Sequence, residues 1–185
     1  MEQNSQAYKY ELYQQIQDEY GKLVFTYTCH LKFANRIQKK NVRVKWLQII
    51  LSAITTGGFL GVIISDKQVL AWTGGICATM LLALSTYLKD INLSEIRDRH
   101  VQTSNSLWKL REEYVSVLTD FEYLPVETII SKRDKLLNST AEIYDSAPLT
   151  DNKSYLEAQD ALQNKEEQYF TQDELNVMLP IHLRK

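Results

Sequence analysis

Charge is missing from two stretches of this chain. No Asp, Glu, Lys or Arg occurs from Trp46 to Ser65, and none from Gln68 to Leu88. Proline is scarce, and Pro125, Pro148 and Pro180 all lie beyond those stretches. The first 124 residues therefore hold nothing that removes a backbone donor from a helix. Of the six glycines, Gly57, Gly58, Gly61, Gly74 and Gly75 sit inside the uncharged stretches, which leaves no glycine-rich phosphate loop in the polar part. Cys29 and Cys77 form neither a disulfide framework nor a metal-ligand spacing, and a reducing cytoplasmic face is the natural setting. The three histidines, His30, His100 and His182, lie far apart. No GxSxG elbow occurs. No carboxylate falls inside an uncharged run to mark a proton or ion relay. These absences predict a protein that is not an enzyme and that uses no cofactor and no metal. The net charge of −2 gives no reason to expect a nucleic-acid partner.

What is present is a membrane hairpin. A helix rises about 1.5 Å per residue, so 20 uncharged residues cover roughly the 30 Å of a bilayer core. Runs 46–65 and 68–88 both meet this length, and the connection Ser65–Gln68 is too short for anything but an antiparallel return. Trp46, Trp72 and Tyr87 fall where interface anchors belong. Lys32, Arg36, Lys39, Lys40, Arg43 and Lys45 precede the first run, and Lys89, Arg97 and Arg99 follow the second, whereas the loop has only Lys67. The positive-inside bias therefore predicts both termini in the cytoplasm and a multi-pass protein of the inner (plasma) membrane. The first 45 residues are polar and mixed in charge, so the first run is expected to serve as its own targeting signal.

The runs are not plain leucine anchors. Gly57 and Gly61 form a GxxxG that should face one neighbour, Gly58 adjoins it, and Gly74, Gly75 and Ala78 cluster in the second run. Small residues let helix backbones approach in lipid. Ser52, Thr55, Thr56, Thr73, Thr79, Ser85 and Thr86 add hydroxyls that either line a wet path or serve ordinary helix contacts.

Past the membrane, Leu93, Ile96, His100, Thr103, Leu107, Leu110, Tyr114, Val117, Phe121 and Leu124 alternate by three and four. This is a heptad seam, a coiled-coil-like stalk of helix over 89–124 that Pro125 ends. The arm over 1–45 carries a matching seam of Ile16, Tyr20, Leu23, Tyr27, His30, Ala34 and Ile37. Two amphipathic helices flanking one hairpin must run alongside each other. His30 and His100 are their polar members, and whether they meet depends on stagger. His100 reads as a structural seam residue, with pH sensing the alternative. Lys32, Arg36, Lys39, Lys40 and Arg43 share one helical face. Lipid-headgroup contact is the plainer reading of that face, and a site for an anionic nucleotide is the sharper one. The tail over 125–185 reads as broken helix: Ser131–Tyr144, a turn at 147–150, Ser154–Gln168, and a last short helix opened by the capping box at Thr171 and Glu174.

With these parts in place the chain resembles the SLATT family of two-transmembrane effectors, which accompany nucleotide-synthesising and nucleotide-sensing partners in bacterial conflict systems. The resemblance rests on residues 51–61, on Leu84–Asp90, on the stalk segment Leu107–Tyr114, and on 147–150, 158–162 and Leu179-Pro180 in the tail. It implies an all-α membrane effector, a homo-oligomer that opens a pore or disrupts the membrane in antiviral defence when a partner signals. The other reading is a two-span scaffold whose stalk and tail recruit cytoplasmic partners. Both readings place the hairpin among membrane lipids.

Overall fold

The computed structural model describes residues 2–65 and 68–184. The chain is all helical, with 89% helix and no strand among the described residues. Helix α1 runs unbroken over Glu2–Ser65, and α2 over Gln68–Asp90. With no proline to interrupt it, α1 carries the N-terminal arm and the first run as one rod of roughly 96 Å. The return connection at Asp66 and Lys67 lies outside the described residues.

Helix α2 stops at Asp90, and Asn92 opens α3 (Leu93–Asp120) by accepting the Glu95 amide at 3.2 Å. The stalk is thus a second helix rather than an extension of the second run. A single 3₁₀ turn, Phe121–Tyr123, follows, and Pro125 caps α4 (Val126–Ser146). The expected stalk helix to Leu124 therefore ends four residues early, although the 3₁₀ turn still delivers Phe121 to the core. Helix α4 begins five residues before Ser131, because Pro125 supplies an extended residue before Val126. Asp151 accepts the Ser154 amide at 2.8 Å and opens α5 (Asn152–Gln163). That helix ends earlier than the expected Gln168, in a turn with Glu166 and Gln168 at positive φ. Glu167 and Gln168 in this turn bond to Lys32 and Thr28 of α1. The capping box of Thr171 and Glu174 forms as expected and opens α6 (Gln172–Met178).

The part outside the hairpin is one small helical bundle. Leu12, Ile16 and Leu23 of α1 pack with Leu107, Leu110, Tyr114 and Val117 of α3, with Phe121, and with Ile129 and Leu136 of α4. Both seams are filled within the chain, each by the other. The polar position between His100 and Leu107 is Ser104, fully buried, rather than Thr103, which stays half-buried and turns its hydroxyl onto the Arg99 carbonyl at 3.1 Å. Any assembly between copies must therefore use a surface other than this seam.

The hairpin has the opposite character. Trp46, Phe59, Trp72 and Leu82 are 61%, 67%, 73% and 69% exposed. Two 20-residue helices that turn such side chains outward cannot be the core of a soluble protein, because water would meet a continuous apolar band far larger than monomers tolerate. A bilayer removes that cost.

Candidate functional site: the small-residue hairpin and a basic cleft above it

Glycine sets how closely the two membrane helices approach. A Cβ on Gly58 would stand 3.2 Å from the Leu70 carbonyl oxygen and 3.3 Å from the Gly74 Cα. One on Gly61 would strike Leu70 Cδ1 at 2.8 Å, and one on Gly74 would touch the Thr55 carbonyl at 3.8 Å. Gly58, Gly61 and Gly74 therefore line the contact. Gly57 and Gly75 face open space. The expected pairing is corrected by one residue: Gly58, not Gly57, shares the α2-facing side with Gly61. A GxxxG spacing does not fix helix rotation when glycine also sits one position on. Ala78 is half-buried.

The open side carries its own pattern. Ser52, Ala53, Thr56 and Gly57 of α1 meet Leu81 and Ser85 of α2 along a shallow groove flanked by Ile49 and Leu60, with Gln48 at the end nearer the bundle. Of the hydroxyl residues singled out above, Ser52, Thr56 and Ser85 are brought together here, whereas Thr55 is half-buried, and Thr79 and Thr86 do not line the groove. The threonines are satisfied by their own helices: Thr55 donates to Leu51 O at 2.8 Å, Thr56 to Ser52 O at 3.0 Å, Thr79 to Gly75 O at 3.0 Å and Thr86 to Leu82 O at 2.9 Å. Internally bonded hydroxyls can face lipid at little cost and can still accept from water if a path opens.

Directly above the membrane the basic face becomes one wall of a cleft of about 590 Å³ between α1 and α5. Lys32, Arg36, Lys39, Lys40 and Arg43 line it with Asn35, and α5 and the turn after it add Lys153, Glu157, Asp160 and Lys165. Arg36 clamps the tail. Its Nη2 donates to both Asp151 oxygens at 2.5 and 2.6 Å and to Ser154 Oγ at 3.0 Å, and its Nη1 to Glu157 at 3.0 Å. Desolvation alone would raise the Asp151 pKa. The Ser154 hydroxyl and amide and the Arg36 guanidinium outweigh it and hold the carboxyl down to about 2. Lys32 reaches Glu167 at 2.7 Å. Asp151, Glu157 and Glu167 were not visible as partners in the sequence, because 115 to 135 residues separate the ends of these bonds.

At the end of the cleft away from the membrane the two seam histidines meet. His30 Nδ1 and His100 Nδ1 are 2.9 Å apart, both rings are 2% exposed, and Phe33 stacks on His100 at 4.0 Å. One imidazole must donate and the other accept. Burial, and then the neighbouring His100, push His30 down to about 4, and burial with Arg99 lowers His100 against an opposing pull from Asp151. Beside them Cys29 is buried, and that burial pushes its thiol up to about 11. Among the described residues, no group of three His, Cys, Asp or Glu side chains is placed to hold a metal ion.

Fold and hairpin together define an all-helical, two-span membrane protein with a helical bundle outside the membrane. The model of the SMODS and SLOG-associating 2TM effector domain family 4 matches residues 12–174, and the chain belongs to this family. It is accordingly a membrane effector domain of conflict systems, of a kind associated with nucleotide-related partners. Neither a curated protein nor a solved structure matches it.

Proposed function

We propose that the protein is a non-enzymatic effector whose hairpins assemble in the inner membrane and permeabilise it when a nucleotide-linked partner signals. The observation that carries this reading is the division of the glycines. Gly58, Gly61 and Gly74 are used inside the hairpin, while Gly57 and Gly75 are left open, and Gly57 lies beside Ser52, Ala53, Thr56 and Ser85. A groove floored by small and hydroxyl residues and flanked by Ile49, Leu60 and Leu81, with no occupant from its own chain, is a surface on which a second hairpin can seat closely. The hydroxyls then stand where several hairpins would meet, and each can accept from water.

The two kinds of glycine separate the test. Gly57→Leu meets nothing in its own chain, so the hairpin should insert and fold while losing the contact between copies. Gly58→Leu drives a side chain into the Gly74 backbone and should disrupt the hairpin itself. Co-expressed with the active partner, the wild type should arrest growth. Gly57→Leu should abolish arrest at unchanged membrane levels, and Gly58→Leu should lower those levels. Arrest by Gly57→Leu as strong as wild type would remove the open face from the mechanism. No arrest by wild type beside an active partner would favour the two-span scaffold.

A further inference from the structure

A topology signal needs only the basic residues of α1. The cleft has more than that. Lys153 and Lys165, over a hundred residues further along the chain, are folded back by α5 to face them across a cavity of about 590 Å³. The lining holds seven basic side chains and two carboxylates. Those carboxylates are already engaged, Glu157 with Arg36 at 3.0 Å and Asp160 with Lys165 at 2.6 Å. Lys39, Lys40, Arg43 and Lys153 have no ion-pair partner among the described residues, and all four border the same space. A convex basic face spreads its cations into water. A concave one crowds them, and the crowding costs free energy until an anion enters.

We propose that this cleft is a binding site for a small organic ligand bearing two or more phosphate groups. The cavity falls within the size range of small-molecule sites, roughly 300–1,000 Å³. Four unpartnered cations exceed what one phosphate neutralises. Arg43 stands three residues before Trp46, about 5 Å from the interface level, and Lys32 about 21 Å from it. One end of the cleft therefore reaches the headgroup layer and the other opens to the cytoplasm, so the phosphates can come from a lipid headgroup or from a soluble ligand. Binding here does not depend on whether the hairpin opens a pore.

The test uses the full chain in phosphatidylcholine nanodiscs, titrated with inorganic tripolyphosphate by calorimetry. Saturable binding at one site per chain is expected. Lys153→Gln removes an exposed cation from the wall that no topology rule requires, and it should weaken binding about tenfold or more. Lys109→Gln, an exposed lysine outside the cleft, should leave binding unchanged. Circular dichroism of both variants confirms that α5 is kept. Repeating the titration in discs containing cardiolipin, a two-phosphate lipid, separates the sources. Loss of tripolyphosphate binding by competition assigns the site to a headgroup, and retention assigns it to a soluble ligand. Equal effects of the two substitutions would overturn the site. So would failure of tripolyphosphate to bind together with cardiolipin retention that ignores Lys153→Gln.

Discussion

Single residues divide into those the membrane half depends on and those the bundle depends on. Leu107 is fully buried between α1 and α3, so Leu107→Ala should destabilise the bundle by about 2–5 kcal/mol. Leu110→Lys should unfold the bundle within each chain, because Leu110 is buried in the core that α1, α3 and α4 share. Denaturant unfolding in detergent, followed by near-ultraviolet dichroism, reads both. The histidine pair gives a pH dependence of known sign. The folded state holds His30 near 4 against an ordinary 6.5, so between those values the unfolded chain binds the extra proton. Stability is therefore full above about 6.5 and declines as pH falls toward 4. Thermal unfolding should show a lower midpoint at pH 5 than at pH 7, and His30→Gln should flatten the difference. A midpoint that rises on acidification across that window would contradict the burial account. That the two histidines belong to facing seams was legible from spacing. Their meeting was not, since stagger is set by the hairpin return and by the break at Ile91 and Asn92.

Among the elements, the helices with strong physical constraints were the legible ones. A bilayer demands about 20 uncharged residues, and that demand is visible at Trp46–Ser65 without any knowledge of packing. Three-and-four spacing likewise announced both seams. The rotation of α1 against α2 was not announced, because Thr55, Thr56, Gly57 and Gly58 offer small residues over most of one turn, and only the contact with Gly74 selects Gly58. Helix α5 was placed approximately, but its docking on α1 was invisible, since it depends on Arg36 finding Asp151 and Glu157 across the fold. That docking yields a prediction for the element. Arg36→Gln should release α5 while leaving α3 and α4 intact. These ion pairs are half-exposed, so the loss should amount to about 1–2 kcal/mol. Amide exchange over 152–163 should accelerate roughly tenfold. Unchanged exchange there would mean that the apolar contacts of Phe25, Tyr155, Ala158 and Ala161 hold α5 without the clamp.

At the level of the whole molecule, the protein is a buried-seam bundle standing on a hairpin that turns its large side chains to lipid. Reporter cysteines test the orientation that the lysines and arginines predict. Cys29 is buried with its thiol pushed up to about 11, so it should stay silent toward thiol reagents. With Cys77→Ala as background, Lys67→Cys should label from outside the cell, and Lys40→Cys and Asp120→Cys only after permeabilisation. Outside labelling of either flank would reverse the hairpin. The proposed action itself is permeation, and dye release measures it most directly. Proteoliposomes loaded with a self-quenched dye and carrying the wild-type chain should stay tight alone and leak when the active partner and its product are added. Gly57→Leu should stay tight under both conditions. Wild-type vesicles that remain sealed in the presence of an active partner would contradict a permeabilising effector.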